Sequence, residues 1–143
     1  MKLRAGELTA LAGIGCMVAS LLRPWYESPA GNLSFWDTFG PAAALMLAAL
    51  CAAVAMVLSA LFEGESPALP ISIAVWSVLL GLLGAISAVV RVLERPQNAS
   101  ALCGGAWLGL AGALLILIGS WLAIRDERPS RYHPLRPEPR PRP

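Results

Sequence analysis

The chain has 143 residues, of which 57% are hydrophobic and only 14% charged, with a formal net charge of +2 and a mean hydropathy of +0.64. Ordinary soluble domains carry about a quarter charged residues, so this balance excludes a water-solvated globule. It points to a lipid bilayer as the main solvent, and no nucleic-acid partner is expected.

The charges fall almost wholly outside four apolar blocks, residues 8–22, 38–62, 66–90 and 97–124. A helix needs about 20 apolar residues to cross a hydrocarbon core of about 30 Å, and the last three blocks are ample. The first reaches only about 22 Å at ~1.5 Å per residue. It lengthens if Glu7 and Arg23 extend their heads toward the lipid headgroups. A cleaved signal peptide competes for this segment, because Lys2 and Arg4 form a basic leader and Val18, Ala19 and Ser20 supply a small-residue cleavage site.

Five of the chain's ten aromatic residues follow in the loop 24–40: Trp25, Tyr26, Phe35, Trp36 and Phe39. Amphipathic rings favour the membrane–water boundary. They therefore read as an interfacial belt, with Phe62 and Trp121 as counterparts at the other face. The competing reading is a cap, in which Trp25, Tyr26, Trp36 and Asp37 pack on the helices or meet a partner. Ser34 with Asp37 three residues on forms a capping pair, which predicts a short interfacial helix leading into the second span near Gly40 and Pro41.

Ser66 followed by Pro67 marks the start of the third span, since proline at the first helical position loses no hydrogen bond. Residues 95–100, RPQNAS, end that span and begin the fourth. Asn98 reads as a helix-start signal in preference to a glycosylation acceptor. In hydrocarbon, unsatisfied backbone groups cost several kcal/mol each, which leaves helices or closed barrels as the spanning forms. The blocks lack two-residue alternation, and their connections are short. An all-α four-helix transmembrane bundle is expected, with spans at about 6–23, 41–62, 68–91 and 100–124.

Lys2, Arg4 and the six arginines from Arg125 onward put eight of the eleven basic residues at the two ends of the chain. Arg23, Arg91 and Arg95 lie in the loops opposite. The positive-inside rule then places both termini in the cytoplasm. The segment 125–143, rich in Arg and Pro, reads as a disordered tail that favours extended polyproline II. Its arginines or its Pro-Leu-Arg-Pro stretch are candidates for anionic lipid or a proline-reading partner.

Helices in lipid associate through close packing at small residues. Four-residue spacing supplies candidate ridges: Ala12, Cys16 and Ser20; Ala44, Ala48 and Ala52; Ser77, Gly81 and Ala85; Gly105, Gly109 and Ala113. Trp76 and Trp107 lie deeper than a belt requires and are expected to fill bundle volume. Cys16, Cys51 and Cys103 are odd in number and show no CxxC spacing, so they read as small packing residues.

Ion and proton pathways use ionisable residues inside the spans, and these blocks hold none. Arg91 is the best candidate for a partly buried charge, with Glu94 one turn on as its partner. The single histidine, His133, is in the tail. No HExxH, GxSxG, phosphate loop or dinucleotide fingerprint is present. No catalytic residue, metal or cofactor is therefore expected.

Pro24-Trp25-Tyr26 after the first span, the segment SFWDTFG before the second and a Gly-rich final span ending in GSWLAIRDER together resemble small four-transmembrane-helix proteins of high-GC bacteria. That resemblance implies the architecture and a bacterial plasma membrane, and it supplies no activity. The expected function is a non-catalytic accessory or scaffold subunit, bound to other membrane proteins or to itself. The alternative is a transporter component for a small molecule or lipid. The candidate interface or packing residues are Trp25, Tyr26, Trp36, Asp37, Gly81, Arg91, Gly105 and Gly109.

Overall fold

The computed structural model describes residues 4–61, 68–96 and 99–126. The tail beyond Asp126, the Ser66–Pro67 helix start, Phe62 and Asn98 lie outside them. Four long helices dominate: α1 (Ala5–Leu21), α3 (Ala43–Leu61), α4 (Ala68–Leu93) and α5 (Gly104–Asp126). A short α2 (Phe35–Phe39) and a 3-10 turn (Gly40–Ala42) lead into α3. Three segments, Phe35–Leu61, Ser72–Leu93 and Gly104–Asp126, are long and apolar enough to cross a membrane, whereas α1 is shorter.

The helices pack side by side, α1 on α5, α5 on α4, α4 on α3 and α3 on α1, with the α1–α5 contact the most extensive. That contact is antiparallel and made backbone to backbone. A Cβ on Gly13 would come 2.7 Å from the Ile116 nitrogen, and one on Gly112 would come 2.7 Å from the Met17 nitrogen. Without side chains at these crossings, the helices gain dispersion contacts along their length, which is what drives association where no water is displaced. The Arg4 guanidinium donates to the Asp126 carbonyl at 3.2 Å, a cation at the negative end of α5.

The expectation of an all-helical chain needs one correction. Strands β1 (Tyr26–Ser28), β2 (Gly31–Leu33) and β3 (Ala101–Leu102) form an antiparallel sheet in the order β2-β1-β3. Tyr26 pairs with both Leu33 and Leu102. The hairpin between β1 and β2 turns through Pro29 and Ala30 into Gly31, whose φ of 126° suits a residue without Cβ. The sheet binds the α1–α3 and α4–α5 connections together at one end of the helices. It also moves the start of the last helix from about residue 100 to Gly104, because residues 101–102 hydrogen-bond in the sheet.

Two of the four small-residue ridges differ from expectation. On α1 the buried stripe is Gly6, Ala10, Gly13, Met17 and Ser20; Ala12 is exposed and Cys16 half-buried. On α3 it is Ala43, Met46, Ala49, Ala53, Met56 and Val57, while Ala44 is exposed and Ala48 and Ala52 are half-buried. A strict four-residue step turns about 40° past a full helical turn each time, so the longer buried stripes of α1 and α3 hold their direction by mixing steps of three and four. Ser77, Gly81, Ala85, Gly105, Gly109 and Ala113 are all buried. Cys51 is exposed, and all three thiols are free.

Candidate functional site: the aromatic cap

The end of the molecule that carries the sheet holds its largest buried side chains. Trp25, Tyr26, Phe35 and Phe39 are fully buried within the protein, which overturns their reading as a belt exposed to headgroups. Burial of amphipathic rings requires partners for their polar atoms, and both are present. The Trp25 indole N–H donates to the Ser20 carbonyl at 3.1 Å. The Tyr26 hydroxyl donates to the Arg91 carbonyl, one of the last four in α4 and so without a helical donor.

The chain reaches this arrangement through local rules. The Trp25 N–H donates to the Leu33 carbonyl at 2.9 Å, and its own carbonyl accepts from the Cys103 N–H at 2.9 Å. The residue is thereby held extended between two loops. Its ring meets Phe39 edge-on, with centroids 4.6 Å apart and planes at 89°, and Phe35 at 5.9 Å. Beneath it lies Gly109, where a Cβ would come 2.5 Å from Cη2 of the indole. Gly105 likewise sits under the Pro24 and Arg23 carbonyls and donates to the first at 3.1 Å. These two glycines, expected on a helix–helix ridge, receive the first loop instead. Gly81 does join helices, with a Cβ there 3.4 Å from the Leu117 Cα.

The capping pair forms as the spacing predicts. Asp37 Oδ2 accepts from the Ser34 N–H at 3.1 Å and from its hydroxyl at 2.6 Å, while Ser34 Oγ accepts from the Asp37 N–H at 3.4 Å. This box starts α2 and thereby aims Phe35 and Phe39 inward on one face. Asp37 itself and Trp36 are exposed, so of the four expected cap residues only Trp25 and Tyr26 form its interior.

Arg91 is half-buried and does not pair with Glu94. Its guanidinium carbon stands 6.0 Å from the centre of the Phe39 ring, within cation–π range. Burial pushes the Tyr26 phenol up from its ordinary value, and the positive charges of Arg91 and Arg95 partly oppose that shift. The phenol therefore stays protonated, and able to donate, through neutral pH.

Deeper between the helices, Ser77 and Ser120 are fully buried and share a hydrogen bond of 2.7 Å from α4 to α5. Ser20 Oγ donates to the Met17 carbonyl at 2.7 Å. Trp76 and Trp107, expected to fill the interior, point outward instead; at the level of Trp107 the space against α5 is taken by Trp25. Sequence reasoning missed Phe35 and Phe39 as cap residues and the part played by residues 101–102. For the rings a signal was present in their spacing, four apart and next to a capping box.

Among the described residues no group of three or more His, Cys, Asp or Glu side chains could hold a metal ion. Comparison with protein-family models, with curated proteins and with solved structures finds no match to this chain.

Proposed function

We propose that the chain is a multi-pass membrane protein with four spans and cytoplasmic termini, serving as a non-catalytic accessory or scaffold subunit in a bacterial plasma-membrane assembly. The observation that carries this reading is the contrast between interior and surface. Inside, glycines bring α1 and α5 into backbone contact and the buried serines bond within the protein. Outside, large apolar side chains of all four long helices are exposed. Such a body offers surface to lipid and partners, and its hydroxyls serve packing. The cap supports the same reading, since a sheet that ties both outer connections together makes a rigid head that can be presented beyond the membrane.

Purification from native membranes in lipid particles, followed by mass measurement, tests the proposal. A stable complex with other membrane proteins is the expected result. A homo-oligomer that moves a solute across a vesicle wall would replace it with the transporter reading.

A further inference from the structure

Four tryptophans project from the surface: Trp36 is 56% exposed, Trp76 62%, Trp107 57% and Trp121 59%, whereas Trp25 is 0% exposed. Their heights are set by contacts already described. The Ser77–Ser120 bond places Trp76 level with Trp121. Trp107 lies on the same helix about 21 Å away at ~1.5 Å per residue. Trp36 belongs to the same sheet-bearing end as Trp107, since it meets Phe35 at 5.3 Å and Phe35 in turn meets Trp25, whose ring lies over Gly109.

Between Trp107 and Trp121 the outward side chains of α5 include Leu114 and Ile118, and on α4 above Trp76 they include Leu79, Leu83 and Ile86. The first charges appear at the two ring levels. Arg23 lies over Gly105 and Arg91 over Phe39 at one level. Near the other, the approach of Gly6 to Ala123 sets Glu7, and Arg125 follows on α5. The charge-free part of α1, residues 8–22, spans this same interval at about 22 Å. Past the lower row, α5 continues to Asp126 and α4 runs on from Trp76 to Ala68.

We infer that the outward tryptophans are the protein's two interfacial rows, Trp36 and Trp107 at the sheet end and Trp76 and Trp121 at the other, with acyl chains as the occupant of the apolar α4–α5 face between them. The inference rests on the reading of the chain as an integral membrane protein. Amphipathic indoles at both edges of an apolar band, with the first charged residues at or just beyond them, are the arrangement that a bilayer favours. The sheet then stands outside the hydrocarbon, and the band is shorter than the usual ~30 Å core, so the bilayer thins beside α1 and α5.

The full-length protein, reconstituted in phosphatidylcholine brominated either at carbons 6 and 7 or at carbons 11 and 12, provides the test through tryptophan fluorescence. Shallow bromines are expected to quench more than deep ones. Trp107→Phe and Trp121→Phe should each remove about a quarter of the quenchable signal, since four of the five indoles reach the surface, and the buried Trp25 should supply the unquenched remainder. Stronger quenching by the deep bromines would overturn the placement. So would protein that resists carbonate extraction and yet escapes quenching, which would show this face covered by protein. Protein released by carbonate would overturn both the inference and the membrane reading on which it rests.

Discussion

Individual residues act here mainly by what they leave out. At Gly112 a Cβ has backbone on its far side, 2.7 Å from the Met17 nitrogen, so no rotamer change can make room. Gly112→Ala is expected to destabilise the protein by about 1–3 kcal/mol, read as a lower midpoint in detergent unfolding. Gly15, on α1, meets nothing within 4 Å. Gly15→Ala should be neutral or add up to about 1 kcal/mol through helix propensity. Equal effects from the two substitutions would show that the α1–α5 crossing is looser than described. Trp25 is the converse case, a large ring closed in on every side. Trp25→Ala should cost about 3–5 kcal/mol in the same measurement, whereas Trp36→Ala, at an exposed position, should leave the midpoint nearly unchanged.

Elements are joined by a few directional bonds. The Tyr26 hydroxyl links β1 to the end of α4, and it can donate only while protonated. Because burial raises its folded pKa above the ordinary value, its contribution is fully present below the unfolded phenol range near pH 10. It is lost as pH rises through the higher folded value. Unfolding midpoints followed from about pH 8 to 12 should therefore fall at the alkaline end in the parent protein, and that fall should be smaller in Tyr26→Phe. Identical profiles would remove the bond from the account. Between α4 and α5, a double-mutant cycle on Ser77→Ala and Ser120→Ala should return a coupling of about 0.6 kcal/mol, and not above about 1.7, as interhelical hydrogen bonds in membranes do. A coupling near zero would mean that each hydroxyl finds its own helix carbonyl instead.

At the scale of the whole molecule, the sheet couples both connections at one end, so the two helical hairpins α1–α3 and α4–α5 share one head. In the proposed four-span arrangement, that head and the chain ends lie on opposite sides of the membrane. Tags at both termini should be protected from external protease in intact cells, while a cysteine introduced at exposed Asn32 should react with an impermeant thiol reagent. Labelling of both a terminus and position 32 from outside would break the proposed threading.

Much of this architecture was legible in the residue order. Long charge-free blocks specify helices because hydrocarbon tolerates no unpaired backbone, and Ser34 with Asp37 specifies a cap because its hydrogen bonds are local. What remained hidden depends on contacts between residues distant in the chain. A two-residue strand at Ala101–Leu102 carries no periodicity of its own and exists because Tyr26 and Glu27 pair with it. The inward turn of Trp25 depends on Gly109, the Ser20 carbonyl and two loop hydrogen bonds, none of which adjoins it in sequence. Composition thus decided the solvent and the helices by itself. Tertiary structure decided which aromatic rings face the interior and which face out, because an indole is equally at home in a closed core and at a membrane boundary until its N–H finds a partner.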